Sequence, residues 1–316
     1  MIKKKDKIFV AGHNGLVGSA IVRKLIKNNF KNILVAERSK LDLFDQKAVE
    51  NFLKKNKPKF VIISAAKVGG IKANNLYRAD FIRENLLIQI NIIHGCHVNN
   101  INNLIFLGSS CVYPKNCKVP IKEEYLLSGK LENTNEPYAM AKIAGIKMCE
   151  SYNKQYKRNY ISLMPTNTFG PGDNYDPENS HFLPALLRKV YHAKIKNKKY
   201  IYLWGTGTSK REFIYVDDLA DAIVYFVNKK TTHTLINIGT SQEYSIKDIA
   251  NKIIKVLGLK IKIKFDNNSK FNGVDSKVLN TSLARSYGWQ PKIKFEQAII
   301  HTYKDLVKNY NNIKEK

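Results

Sequence analysis

The chain has 316 residues, of which 44% are hydrophobic and 25% charged, enough for one large domain or two coupled lobes with a substantial core. It contains no run of about 18 apolar residues, so we expect no membrane-spanning helix, and its basic start lacks the apolar segment of a signal peptide. Four cysteines without zinc-type spacing predict neither a disulfide scaffold nor a metal site. We therefore expect a reduced cytoplasmic protein.

The formal net charge of +27 can be interpreted in two ways. Clustered lysines and arginines can neutralise the phosphates of a nucleic acid. However, the lysines recur in segments such as KKNKPK, KIKNKK and LKIKIK, with no interleaved aromatic stacking motif and no helix-turn-helix pattern. We therefore expect solvated helix faces and no nucleic-acid partner, with the excess charge attracting anionic ligands in general.

The first half of the chain alternates short apolar runs with longer helical patterns. Strands are predicted at 7–12, 31–38, 60–66, 103–110 and 159–167, and helices at 16–28, 46–55, 80–100 and 138–156. Continuously apolar strands between helices are typical of a parallel sheet covered on both faces. The pattern predicts a Rossmann-type, doubly wound α/β fold, with ligands at the carboxyl ends of the strands.

The pattern loosens after residues 169–177, where glycine, proline and aspartate indicate a loop. The later elements, at 181–193, 200–205 and 244–258, suggest a smaller α/β lobe. We predict a dinucleotide-binding domain over residues 1–170, to which 212–240 returns, and a substrate-binding lobe formed mainly by 171–316.

The segment VAGHNGLVGSAIV places three glycines between the first strand and the first helix. Glycine permits a tight turn, lets backbone N–H groups approach a pyrophosphate, and packs the helix onto the sheet. This context predicts a dinucleotide site rather than a purely structural loop. The loop residues predicted to bind the cofactor are Gly12, Asn14, Gly15, Leu16, Val17 and Gly18.

The second strand ends in VAERSK, which offers both an acid and a base. Glu37 could hydrogen-bond the ribose diol of NAD, whereas Arg38 could hold the 2′-phosphate of NADP. Arg38 and the positive net charge favour NADP(H), but the sequence leaves both interpretations open.

Tyr138 and Lys142 stand four residues apart, on one face of a predicted helix. A free tyrosine has a pKa near about 10, and a cation one turn away favours the phenolate, so we expect Lys142 to lower the pKa of Tyr138. Tyr138 could then protonate a carbonyl oxygen as hydride arrives, while Ser109, at a strand end, hydrogen-bonds the same oxygen. Downstream of a glycine loop, this set predicts a carbonyl reduction or oxidation site.

Cys111 follows Ser109 by two residues, and His181 begins the helix after the glycine- and proline-rich loop. A carbonyl acidifies the carbons next to it, so a base on one face and an acid on the other can invert a stereocentre. A thiolate and an imidazolium suit these roles near neutral pH. A free cysteine is also often a small apolar residue, and His181 could only cap its helix, so both interpretations stay open.

The chain resembles the extended short-chain dehydrogenase/reductase family, whose members act on nucleotide sugars. The resemblance is carried by AGHNGLVGSAIVRKL, AAKVGGI, GSSCVYPK, TNEPYAMAKIAGIKMCESYN, MPTNTFGPGDNY, SHFLPALLRK and REFIYVDDLADA. It implies 3,5-epimerisation of GDP-4-keto-6-deoxy-D-mannose followed by NADPH-dependent 4-keto reduction to GDP-L-fucose. The alternatives are the same chemistry on another GDP-sugar, such as a 6-deoxy-heptose, and a non-catalytic dinucleotide-binding regulator.

The resemblance also implies residue roles. Ser109, Tyr138 and Lys142 become the reductase triad, with Cys111 as the epimerisation base and His181 as the acid. The further residues that it places along the cofactor are Leu107, Gly108, Ser110, Pro165, Thr166, Asn167 and Thr168, together with Lys142 and His181. Those that it places around the GDP-sugar are Lys189, Trp204, Arg211 and Lys277.

The chain departs from the family pattern at three positions. Asn14 and Lys189 stand where arginine is frequent, and a lysine keeps the charge but loses the planar fork. The flanks of Lys277, in GVDSKVLN, fit the pattern poorly. The resemblance further implies a homodimer built from the 80–100 and 138–156 helices.

Overall fold

The computed structural model describes residues 2–176, 179–266 and 274–314. The described strands are β1 (Lys7–Ala11), β2 (Asn32–Leu34), β3 (Phe60–Ile63), β4 (Asn103–Leu107), β5 (Asn159–Pro165), β6 (Asn167–Phe169), β7 (Tyr200–Leu203), β8 (Lys210–Tyr215), β9 (Leu235–Ile238), β10 (Glu243–Ser245) and β11 (Lys262–Phe265). The described α-helices are α1 (Leu16–Lys27), α2 (Gln46–Asn56), α3 (Ile71–Leu76), α4 (Arg78–Val98), α5 (Glu136–Tyr156), α6 (Phe182–Ile195), α7 (Val216–Val227), α8 (Ile246–Val256), α9 (Ser282–Ser286) and α10 (Phe295–Lys314).

The main sheet has six strands in the order β2-β1-β3-β4-β5-β9, and every neighbouring pair is parallel. From β1 the chain moves to one side to form β2 and then returns to the other side for β3, β4 and β5. This reversal creates a crevice at the carboxyl ends of the central strands, where such sheets bind ligands. The predicted Rossmann-type α/β fold is confirmed.

Both faces of this sheet are covered, which explains why its strands read as continuous apolar runs. All four residues of β3 are at most 1% exposed. Helices α1 and α7 pack in the core on one face, and α2, α4 and α5 pack in the core on the other. Strand β9 and helix α7, from the region after residue 212, therefore lie with the first part of the chain.

The remaining elements form a smaller α/β layer around a third core. It contains a three-stranded sheet, β10-β8-β6, and a two-stranded parallel pair, β11-β7. Helices α6, α8 and α10 pack around these strands. The sequence did not predict β6, β11 or α10.

Two predicted strands differ from the structure. The second strand was predicted over 31–38 but spans only Asn32–Leu34, because the chain then leaves the sheet edge and Glu37 turns back to the glycine loop. The strand predicted over 159–167 breaks at Thr166, whose N–H donates to Ile238 O (3.0 Å) and whose hydroxyl donates to Glu212 O (3.1 Å). This break lets β6 join the smaller sheet instead.

Cys96, Cys111, Cys117 and Cys149 are all free thiols. Within the described ranges, no helix combines the length and apolarity needed to cross a bilayer. Among the same residues, no group of three or more His, Cys, Asp or Glu side chains is arranged to hold a metal ion.

Candidate active site

The glycine loop forms a tight turn between β1 and α1. Gly12 has φ +87°, and a Cβ there would lie 2.5 Å from the N of Ala65. A Cβ on Gly18 would overlap the carbonyl of Gly12. Gly15 is the N-cap of α1 and carries no side-chain cap, so the first N–H groups of the helix face outward. The turn thus leaves a cradle that any side chain would fill, and this cradle fits the pyrophosphate of a dinucleotide.

The end of β2 lies against this loop through Glu37. The amide of Asn14 donates to Glu37 Oε2 (2.8 Å), and His13 Nε2 lies 3.3 Å from Glu37 Oε1. Arg38 lies over the ring of Phe44, 5.0 Å from its centroid. Asn14, which we predicted to contact the cofactor, therefore holds Glu37, the acid that the sequence offered as a ribose ligand.

The carboxyl end of β4 carries the predicted reacting groups. The side chain of Lys142 donates to the carbonyl of Leu107 (2.7 Å), and Gly108 lies so close to Met164 that a Cβ would displace the end of the methionine side chain. Ser109 Oγ accepts the N–H of Cys111 (3.2 Å), at the start of a short 3-10 turn over 110–112. Ser110 is only 4% exposed.

Tyr138, in the first turn of α5, lies close to the side chain of Ser109. Burial raises the pKa of Tyr138, and a negative charge on Cys111 would raise it further, whereas the nearby Ser109 side chain lowers it. Burial also lowers the pKa of Lys142 to about 7. The expectation that Lys142 lowers the pKa of Tyr138 is therefore wrong for this geometry, because desolvation dominates both groups.

Cys111 is partly exposed and lies near both the hydroxyl pair and Arg211. Burial lowers the pKa of Arg211, while the charges of Asp275 and Cys111 oppose this shift. Arg211 donates to the carbonyl of Val274 (2.5 Å). The structure thus brings together Ser109, Tyr138, Lys142, Cys111 and Arg211, four from the main sheet side and one from β8.

His181 immediately precedes the first turn of α6. The segment before it packs closely on residues 69–70, where Gly70 N–H donates to Asn179 O (3.0 Å). Its side chain is accessible to solvent, yet the surrounding protein desolvates it and lowers its pKa. At neutral pH the imidazole is therefore mainly uncharged.

Of the predicted substrate cations, Lys189 lies on α6 and Arg211 on β8 of the smaller layer, and Lys277 lies in the segment beside β8. Lys189 Nζ lies 5.5 Å from the ring centroid of Trp204, which is 67% exposed, and donates to Tyr202 O (3.1 Å). Lys277 is partly buried, and its charge lowers the pKa of Cys117, although burial raises that pKa overall. Arg211 is close enough to Cys111 for a charge on that thiol to affect the pKa of the guanidinium.

The segment Pro165–Thr168 reaches the same crevice, but its polar side chains bind the protein. Thr166 Oγ1 and Asn167 Nδ2 both donate to Glu212 O (3.1 and 2.9 Å), and Thr168 Oγ1 donates to Thr166 O (3.2 Å). What this segment exposes to a ligand is therefore mainly backbone.

Glu212 is a site-supporting residue that sequence reasoning missed. Its carboxylate is completely buried and accepts the N–H groups of Thr240 (2.5 Å), Ser241 (2.7 Å) and Leu279 (2.7 Å). A charged residue within the apolar run EFIYV, next to Arg211, was the available signal, because a buried charge needs partners. Burial raises the pKa of Glu212, while these donors stabilise its ionised form.

Glu212 joins the segments that carry two of the predicted substrate cations. Lys210 N–H donates to Asp275 O (2.7 Å) and Leu279 N–H to the Glu212 carboxylate, so residues 274–279 lie along β8. The same segment bridges to Ile121 in the loop after Cys111. The position of Lys277 is thus tied to that of Arg211.

Comparisons with known proteins agree with this architecture. Residues 8–239 match the model of the NAD dependent epimerase/dehydratase family. The chain is 48% identical to a putative GDP-L-fucose synthase 2 of Arabidopsis thaliana, covering 98% of this chain and 94% of that protein. It is 45% identical to the GDP-L-fucose synthase of Escherichia coli (strain K12), covering 98% and 99%.

A solved structure extends the likeness to three dimensions. A GDP-mannoheptose C4 reductase, MlghC, from Campylobacter jejuni with NADP bound is 39% identical, with a TM-score of 0.87 over 96% of this chain and 99% of that chain. The glycine cradle, the Ser109–Tyr138 pair and these matches together identify the chain as a member of the NAD dependent epimerase/dehydratase family, among the relatives of the GDP-L-fucose synthases.

Proposed function

We propose that the protein converts GDP-4-keto-6-deoxy-D-mannose into GDP-L-fucose, by epimerisation at C3 and C5 followed by reduction at C4 with NADP(H). One observation carries this proposal: the Cys111 thiol lies beside the hydroxyl groups of Ser109 and Tyr138, at the carboxyl end of β4, where the N–H of Cys111 donates to Ser109 Oγ. A simple ketone reductase needs no thiol at this position. The high identity to GDP-L-fucose synthases over nearly the whole chain supports the same choice of substrate.

In the epimerisation, Ser109 and Tyr138 hold the C4 carbonyl oxygen and stabilise the negative charge that develops on it. Cys111, as the thiolate, removes a proton from the carbon next to the carbonyl, and the C–H electron pair moves into an enolate. His181, as the imidazolium, returns a proton to the opposite face, which inverts the stereocentre. Arg211 lies on the substrate side of Cys111, where its charge can attract the anionic substrate.

The low pKa of His181 affects its role as an acid. Because its surroundings favour the uncharged ring, the imidazolium is formed when a proton is taken up with the anionic substrate nearby, since an added negative charge raises the pKa of histidine. The side chain remains accessible to solvent protons.

In the reduction, NADPH supplies the hydride, and the residues of the chain supply the proton. Tyr138 donates its phenolic proton to the oxygen at C4, and Ser109 keeps that oxygen in place. Lys142, fixed by Leu107 O with its Nζ 5.9 Å from the ring centroid of Tyr138, is placed to hold the nicotinamide ribose beside the proton donor. The high pKa of Tyr138 before reaction keeps the donor protonated.

The cations of the smaller layer bind the GDP part of the substrate in this proposal. Arg211 and Lys277 are held close together on and beside β8, which suits a diphosphate. Lys189 and Trp204 offer a charge and an aromatic face to the nucleotide.

The decisive experiment is turnover in heavy water. We expect wild-type protein with GDP-4-keto-6-deoxy-D-mannose and NADPH to oxidise NADPH and to incorporate deuterium at C3 and C5. A Cys111→Ser variant should keep its NADPH affinity while exchange falls at least about 100-fold. Unchanged exchange in this variant would remove Cys111 from the base role. No NADPH oxidation by the wild type with any 4-keto GDP-sugar would favour a non-catalytic regulator.

A second candidate is the same chemistry, or reduction alone, on a GDP-heptose. The observation that favours it is the 39% identity and TM-score of 0.87 to the GDP-mannoheptose C4 reductase. Only the groups facing the sugar distinguish the two substrates. Product analysis with both keto-sugars in parallel decides between them, since the true substrate should show the higher kcat/KM.

We also propose that the protein works in the cytoplasm as a homodimer joined through α4 and α5. The two helices pack on each other, and they leave Ile90 (44% exposed), Val98 (46%) and Met140 (45%) at the surface. Exposed apolar groups on adjoining helices are typical of a face that a partner covers. The four free thiols suit a reducing compartment.

A further inference from the structure

The outer face of the β7–β11 pair carries a row of aromatic side chains. Along β7 burial alternates, so that Ile201 and Leu203 enter the core at 5% and 4% exposure. Tyr200 (39%), Tyr202 (62%) and Trp204 (67%) point the other way. Same-face residues of a strand lie roughly 6.6 Å apart, a spacing that one extended nucleotide can bridge. We call these three residues the aromatic row.

Lysines surround the aromatic row because the fold brings together two lysine-rich runs that are 60 residues apart in the chain. Lys262 N–H donates to Lys199 O (2.9 Å), and parallel pairing then sets Lys262 opposite Tyr200 and Lys264 opposite Tyr202. Lys262 and Lys264 therefore lie on this face, and the two runs carry further exposed lysines at 196, 198, 199 and 260. Neither lysine-rich run by itself predicts that the two lie together.

The lysines contact the aromatic row directly. Lys264 Nζ lies 4.2 Å from the ring centroid of Tyr200 and 5.9 Å from that of Tyr202. Lys189 Nζ lies 5.5 Å from the ring centroid of Trp204. An acid beside this face, Asp266, accepts the N–H of Gly205 (2.8 Å). Aromatic rings of β7 therefore lie beside ammonium groups of β11 on one exposed strand pair.

We propose that this face binds single-stranded nucleic acid, with bases stacked on Tyr200 and Tyr202 and phosphates paired with Lys262 and Lys264. Bases stack on aromatic side chains whatever their sequence, and a basic groove follows the backbone. A duplex hides its bases in stacked pairs and so gains only the electrostatic part of this interaction. The proposal goes beyond the enzymatic activity and departs from the sequence-based expectation that the charge has no nucleic-acid partner.

The net charge of +27 alone does not select this ligand, because any polyanion is attracted to such a protein. The aromatic row makes the difference, since it distinguishes unstacked bases from bare phosphates. Trp204 at one end also belongs to the proposed substrate site, so the two outer tyrosines are the residues specific to this face.

The test measures the fluorescence anisotropy of labelled 12-mers of uridine and of thymidine, and of a 12-base-pair RNA duplex, at about 50 and about 200 mM salt. We expect micromolar binding of both single strands at the lower salt, weakening steeply at the higher, with the duplex bound more weakly. The RNA and DNA strands separate a role for the 2′-hydroxyl from stacking alone.

Matched variants separate stacking from charge. Tyr200→Ser/Tyr202→Ser should weaken single-strand binding at least about 10-fold and leave NADPH oxidation with the keto-sugar unchanged. Tyr77→Ser, at another exposed tyrosine (47%), should change binding less than twofold. Lys262→Ala/Lys264→Ala should weaken binding and reduce its salt dependence more than Lys304→Ala/Lys308→Ala does.

Three outcomes would overturn the proposal. One is the absence of binding at the lower salt, and another is duplex binding as tight as single-strand binding. The third is binding that GDP abolishes and that Tyr200→Ser/Tyr202→Ser leaves intact, because the oligonucleotide would then lie in the substrate site.

Discussion

The two sides of the cleft differ in how far their polar and aromatic side chains are exposed to solvent. On the main sheet, the side chain of Lys142 is buried at 3% exposure and Ser110 at 4%. On the smaller layer, Trp204 is 67% exposed and Lys189 lies over its ring. Desolvation on the first side shifts pKa values and fixes geometry, which proton transfer requires. The accessible charges and rings of the second side suit recognition of a large anionic ligand.

This comparison predicts that the buried Lys142 on the main-sheet side lowers the stability of the folded protein. The exposed groups of the smaller layer should have no such effect. Lys142→Met removes a buried cation and should reduce the rate of ketone reduction at least about 100-fold. The same variant should raise the melting temperature of the ligand-free protein at pH 6, because the wild type must there bury a charged lysine.

The sign of the pH dependence follows from the pKa of Lys142. Burial lowers it to about 7 from an ordinary value of 10.5, so the unfolded chain binds more protons between these pH values. The contribution of Lys142 therefore makes the free energy of unfolding of the wild type rise as the pH increases from about 7 to 10.5. The Tm advantage of Lys142→Met should be largest below pH 7 and should narrow towards pH 10, as thermal unfolding at several pH values would reveal.

Lys147→Met is the matched control, since Lys147 lies on the same helix and pairs with Glu150 at the surface (2.8 Å). It should change Tm little at every pH. If the Lys142→Met protein were less stable than the wild type at pH 6, the buried lysine would not be destabilising and the prediction would be wrong.

The recognition side should respond through substrate affinity rather than through the chemical step. Glu212→Gln places an amide N–H₂ against backbone donors that now bind a carboxylate, and we expect the KM for the GDP-sugar to rise about 10-fold, equivalent to about 1–2 kcal/mol. Because Glu212 acts through the 274–279 segment, the KM for NADPH should stay within twofold.

A double-mutant cycle that combines Glu212→Gln with Lys277→Ala tests whether Glu212 acts through the 274–279 segment. If Glu212 positions Lys277, the second substitution should add little to the first, whereas unconnected residues would give additive effects. A proportional loss of kcat with unchanged KM would instead assign Glu212 to the chemical side, and circular dichroism would exclude a general loss of folding.

The smallest predicted effect lies at the far end of the cofactor. Glu37, held by Asn14 and His13, should disfavour the 2′-phosphate, while Arg38 favours it. Glu37→Gln removes the charge while its amide oxygen can still accept from Asn14, so the preference for NADPH over NADH in kcat/KM should rise a few-fold. Arg38→Ala should lower the same preference. If Glu37→Gln changed kcat/KM equally for NADPH and NADH, Glu37 would not discriminate between the two cofactors.

Much of the site could be predicted where local sequence and chain direction suffice. The glycine loop follows β1 and caps α1 as its spacing indicated, and Tyr138 lies one helical turn from Lys142. Ser109 and Cys111 stand where a parallel strand ends, so their place at the crevice follows from the fold class. The direction of the pKa shift of Tyr138 could not be predicted, because the spacing of residues in a sequence does not reveal how deeply a side chain is buried.

Short periodic patterns in the sequence by themselves determined the alternating strands and helices, the dinucleotide cradle and the reacting groups at the end of β4. These depend on contacts between residues near each other in the chain or on the known edge of a parallel sheet. Only the tertiary structure decided that Glu212 joins Arg211 to the segment of Lys277, and that lysines near 199 and 262 gather around an aromatic row. Such contacts depend on desolvation and on packing between distant segments, and no local pattern encodes either of them.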